Sequence, residues 1–106
     1  MPKYLVEATY TAEGMKGLLK SGGSARRTVV EHTCAAVGGK LELMYFAFGE
    51  RDAVIIVDVP SNEAATALAL AVNASGALRS KTTPLITPEE VDAAAKGRVE
   101  YRAPGQ

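Results

Sequence analysis

The chain has 106 residues, a length suited to one domain with one core. Twelve Lys+Arg and twelve Asp+Glu cancel to a net charge of zero, which removes the long-range field that draws a protein to nucleic acid or to an anionic membrane. Hydrophobic residues at 47% and charged residues at 23% are the balance of a folded domain, not of a disordered segment.

Lys3 to Tyr10 alternates loosely between apolar and polar residues, which predicts a first strand. Thr11 offers a hydroxyl cap to a short helix over about Ala12 to Lys20. Ser21-Gly22-Gly23-Ser24 interrupts it, and Ser24 is expected to cap a second helical piece from Ala25 to about Val37, closed by Gly38-Gly39. Leu41 to Phe48 reads as the second strand, Gly49 to Asp52 as a turn, and Ala53 to Val59 as the third strand. Pro60 stops that strand, Ser61 caps, and Asn62 to about Ala74 is an alanine-rich helix closed by Ser75-Gly76. Ala77 to Ile86 reads as a fourth strand. Thr87-Pro88-Glu89-Glu90 carries a capping threonine, a proline at the first helical position and a carboxylate three residues after the cap, so a last helix runs to about Lys96. Arg98 to Gln106 is expected as an edge strand or a frayed tail.

The order β-α-β-β-α-β with an appended C-terminal helix describes an α+β, ferredoxin-like sandwich, two main helices on one face of an antiparallel sheet. The other face should then be polar if it meets water. It is not. Leu41, Leu43 and Tyr45 point one way along the second strand, and Met44, Phe46 and Phe48 the other; Ile55, Val57 and Val59 oppose Val54 and Ile56 along the third. Soluble monomers rarely leave so large an apolar face wet, so a homodimer, or a multiple of it, packed sheet to sheet is expected. The alternative is a C-terminal segment folded back over that face.

Several functions are excluded or left without a carrier. The longest apolar runs, Ala53 to Val57 and Leu68 to Val72, fall far short of the roughly 18–20 residues of a bilayer crossing. The start at Met1-Pro2-Lys3-Tyr4 has no signal-peptide core. One cysteine cannot form an internal disulfide, and one histidine with one cysteine cannot build a structural zinc site. A cytoplasmic protein with no metal, no cofactor, no nucleic-acid partner and no membrane contact is the expectation.

Met1 to Val6, the Gly22 to Arg27 segment, Phe46-Ala47-Phe48-Gly49 leading to Asp52, Leu70 to Gly76, and Lys81-Thr82-Thr83 followed by Leu85 to Val91 together resemble the GYD-domain family. The resemblance spans residues 1–102, leaving 103–106 as a tail. It implies membership of the dimeric α+β barrels, and a family whose function is uncharacterised. The tyrosine that precedes the aspartate in that family is Arg51 here, so a role of that tyrosine is not carried over.

Ser21 to Arg27 is the strongest binding candidate. Its glycines expose backbone N–H groups, a helix N-terminus carries partial positive charge, and Arg26 and Arg27 add donors suited to carboxylate or phosphate. At ~100° per residue Arg26 falls inside the arc of Val29, Val30, Thr33 and Val37, where a charge needs a partner. The spacing fits no nucleotide fingerprint, and a glycine kink with solvated arginines is the alternative. His32, at the border of that arc, is the default acid/base candidate because its ordinary pKa lies near neutrality. Asp52 stands at a hairpin, where Asp also serves the turn alone. Asn73 caps its helix or reaches a ligand, and Lys81 follows it on the next strand. Tyr45 supplies a phenol that strand tyrosines otherwise use in packing. Cys34 reads as a small buried hydrophobe. The expected ligand site therefore comprises Ser24, Arg26, His32, Tyr45, Asp52, Asn73 and Lys81 around one small pocket per subunit. Three readings stand: a cofactor-free dimer that binds a small anionic molecule, a cofactor-independent enzyme of monooxygenase, isomerase or dehydratase type, or, if side chains fill the pocket, a purely structural assembly protein.

Overall fold

Alternation sends Tyr4, Val6, Ala8 and Tyr10 of β1 (Lys3–Tyr10) to one side of the sheet and Lys3, Leu5, Glu7 and Thr9 to the other. The computed structural model describes residues 1–106. Thr11 then caps α1 (Ala12–Ser21), its hydroxyl oxygen accepting from the Gly14 N–H at 3.3 Å while its O–H donates to the Gly76 and Ala77 carbonyls. The break between helices is shorter than the Ser21-to-Ser24 interruption expected. Gly22 alone, at φ 85°, turns the chain, and α2 (Gly23–Ala36) restarts at once. Ser24 is thus an exposed residue of the first turn and not a cap; Gly22 takes that position and lends no side chain to it.

β2 (Lys40–Phe46) and β3 (Ala53–Asp58) form the hairpin, Ser61 caps α3 (Asn62–Ala74) by accepting from the Ala64 N–H, and β4 (Leu78–Leu85) leads to α4 (Pro88–Ala95). The four strands lie in the order β2-β3-β1-β4 with every neighbouring pair antiparallel, an α+β architecture compatible with a ferredoxin-like fold. Cys34, Ile55, Val57, Val59, Ala65 and Tyr4 make the main core between helices and sheet; Ala8, Ala53 and Leu78 extend it under Phe46 and Val72.

Two strand details depart from simple alternation. A register shift between Leu41 and Leu43 places a bulge at Glu42, so Leu41 joins Met44 in packing on the core instead of sharing a face with Leu43 and Tyr45. The strand also stops at Phe46: Phe48 turns to φ 54° and stacks on the Phe46 ring at 5.8 Å. The face away from the helices keeps Leu5, Leu43, Val54 and Ile56 at its centre, and no helix of the chain packs there. At one end of that face the Lys3 ammonium bridges Asp58 at 2.8 Å and Glu42 at 2.7 Å, and its pKa is raised by the Asp58 and then the Glu42 hydrogen bond.

The C-terminal edge strand does not form. Every residue from Pro84 to Gln106 is exposed, α4 buries no residue, and 98–103 forms neither helix nor strand. The radius of gyration, 16.9 Å, exceeds the roughly 13 Å of a compact chain of this length because this arm projects from the body. No helix is long and apolar enough to cross a membrane.

Candidate functional site

Between the helices and the sheet lies a cavity of about 70 Å³. Tyr4, Val6 and Val57 floor it, and Val30, Cys34 and Leu68 roof it. Hydroxyls enter from Thr33, Ser80 and Thr82. One formal charge reaches it, Arg26. The α2 residues that line it, Arg26, Val30, Thr33 and Cys34, follow the three-and-four spacing of one helix face. Arg26 also lines a second, larger hollow of about 310 Å³ between α1 and α2, beside Glu13, Leu18 and Gly22, so its side chain stands between the two spaces.

One nitrogen of the half-buried guanidinium is unsatisfied. Its Nε is buried and has no hydrogen-bond partner, and no carboxylate lies within ion-pair distance of it. A buried donor left unpaired costs about 1–3 kcal/mol, and more when it is charged. Arg26 sits in the first turn of α2, where the unsatisfied N–H groups of a helix without a side-chain cap add positive potential. Burial raises the pKa of the Cys34 thiol, which keeps that wall of the cavity neutral. Tyr4 is committed elsewhere: its O–H donates to the Asn62 side chain.

Of the seven expected site residues the cavity brings in Arg26 alone. His32 is exposed on α2 and does not line it; the inward face centres on Cys34, buried as expected, and leaves Val29 exposed, which carries His32 past the border. Ser24 is exposed. Tyr45, 70% exposed, and Lys81 belong to the opposite side of the sheet, the latter facing Glu7 across the strands. Asp52 accepts from the Tyr10 N–H at 2.8 Å and fastens the hairpin to the end of β1. Asn73 ties α3 to β4, donating to the Ser80 hydroxyl at 2.9 Å and accepting from the Ser80 N–H at 2.9 Å. The Arg51 side chain lies 4.0 Å from Glu7.

Ser80 is the polar lining residue that the sequence reading does not single out; Thr33 stands on the predicted arc of α2, and Thr82 belongs to the polar group of Asn73 and Lys81. The parity of β4 held the signal: buried Leu78 fixes the inward set as Leu78, Ser80 and Thr82, and so turns Lys81 outward. No group of three or more His, Cys, Asp or Glu is placed to hold a metal ion. The family model described as GYD domain matches residues 4–95. No curated protein was found to match the chain.

Proposed function

This chain belongs to the GYD domain family, and we propose that it is a cofactor-free homodimer which binds one small anionic molecule per subunit. The observation that carries this reading is the buried, unpartnered Arg26 Nε on the wall of an otherwise apolar cavity. A carboxylate or oxyanion meeting Nε and a terminal guanidinium nitrogen would supply two charge-assisted hydrogen bonds at once. At about 70 Å³ the cavity has roughly half the ~150 Å³ that takes up benzene, so the apolar part of the ligand is a few carbons. Ser80 and Thr82 offer hydroxyls to a second polar atom, whereas the Thr33 hydroxyl already donates to the Val29 carbonyl at 2.8 Å.

The dimer is supported by the apolar centre of the outer sheet face, where Leu5, Leu43, Val54 and Ile56 stay only half-buried in one chain. A cytoplasmic setting suits a lone cysteine kept as a buried thiol. The enzyme reading has less behind it, because neither a carboxylate nor an imidazole lines the cavity to serve as acid or base.

Thermal unfolding with acetate, propionate, phosphate and sulfate at fixed ionic strength tests the reading. A ligand at ten times its Kd should stabilise by about 1.4 kcal/mol and raise Tm by roughly 5–10 °C. Arg26→Ala should abolish that rise and exposed Arg27→Ala should leave it. No stabilisation by any of the four, or dependence on Arg27 instead, would contradict it.

A further inference from the structure

We propose that residues 86–106 form an arm that packs on a second copy of this chain, with Val99 and Tyr101 laid along the β2 edge of that copy's sheet beside Leu43 and Tyr45. The inference rests on the dimer reading and goes beyond it by assigning the arm, not the sheet alone, to the contact.

Three observations carry it. First, α4 has only eight residues and buries none of them, yet it is fully formed, with the Thr87–Glu90 capping box closed at 3.0 Å in both directions. Helices this short are marginal in water without tertiary packing, and the chain supplies none. Second, Arg98-Val99-Glu100-Tyr101-Arg102 alternates polar and apolar like a strand, while Val99 and Tyr101 are 85% and 76% exposed and unpaired. The sheet has a free edge at β2, where Tyr45 is equally bare. An extended segment adds to such an edge through its main-chain hydrogen bonds, and its alternate side chains meet one face. Third, the accessible surface is 7485 Å², against roughly 5,700 Å² for a compact monomer of this mass. The excess is larger than the ~800 Å² that each partner gives to a standard interface. One chain thus leaves an exposed apolar arm and a half-exposed apolar sheet face that do not cover each other. A two-fold exchange covers both at once, since in an isologous contact the arm of each copy meets the sheet of the other.

The chain has no tryptophan, so Tyr101→Trp places a single reporter on the arm. Its emission and the light-scattering mass should be followed together across concentration. The expected result is blue-shifted emission wherever the mass is twice 11.1 kDa or a multiple of that, turning red as dilution brings the mass to 11.1 kDa. Dimer mass with fully hydrated emission would overturn the arm while leaving the dimer standing. A mass of 11.1 kDa at every concentration would overturn both, and blue-shifted emission at that mass would mean that the arm folds back on its own chain. Val99→Asp, at a position too exposed to trouble folding of one chain, should weaken dimerisation at least tenfold; unchanged dimerisation would also overturn the proposal.

Discussion

Arg26 and Cys34 lie about two turns apart on one face of α2 and meet opposite fates in the same apolar surroundings. The guanidinium cannot shed its charge and is left seeking an acceptor, whereas the thiol stays neutral because burial raises its pKa. In the unfolded chain Cys34 ionises at about pH 8.5, while the folded chain holds the proton to higher pH. The stabilisation is therefore complete below that pH and is lost as pH rises through the folded-state value. Cys34→Ala should show a shallower alkaline loss of stability than the parent in denaturant titrations between neutral and alkaline pH. Equal slopes would mean that the thiol is hydrated in the native state. The place of Arg26 on the buried arc was legible in the sequence, because helical spacing alone carries it there. The outward turn of His32 is not legible, since a border position turns in or out with a rotation smaller than the ~100° between neighbouring residues.

Among the elements, α1 shows how close packing is written into small residues. A Cβ on Gly14 would come within 1.8 Å of the Ala77 carbonyl oxygen, which receives both the Thr11 N–H and the Thr11 hydroxyl. One turn on, a Cβ on Gly17 would meet nothing within 4 Å. Gly14→Ala is expected to destabilise the fold by about 1–3 kcal/mol, and Gly17→Ala to stabilise it by up to ~1 kcal/mol through helix propensity. Urea midpoints of the two variants check this pair, and a common sign would show that α1 is not seated on the Ala77 turn. Caps and glycines made most elements readable: Thr11, Ser61 and Thr87 each start a helix where expected. The bulge at Glu42 was hidden, because one inserted residue leaves the alternation on either side intact while reversing which set faces the core. Lys81 faces outward for a related reason: the buried Leu78, and not the charge of Lys81, sets the parity of β4.

At the scale of the molecule, only 10 of 106 residues are buried, a core too small to account for all the apolar residues the chain carries. The apolar residues on both sides of β2 and β3 signalled this in the sequence. The reach of the arm did not, because the same Val99–Tyr101 alternation suits an edge strand of its own sheet. In the proposed two-fold assembly the cavities would lie on the helix side of each sheet, and the symmetry would make the two Arg26 sites equivalent. The most direct test is a titration of the assembled protein with propionate, following the Nε–H signals of its arginines by ¹H–¹⁵N correlation spectroscopy. The Arg26 signal should move to a saturating position as one resonance for both subunits, and the Arg27 signal should stay in place. An Arg26 Nε–H that does not respond to propionate, acetate, phosphate or sulfate would contradict the anion-binding role of the cavity.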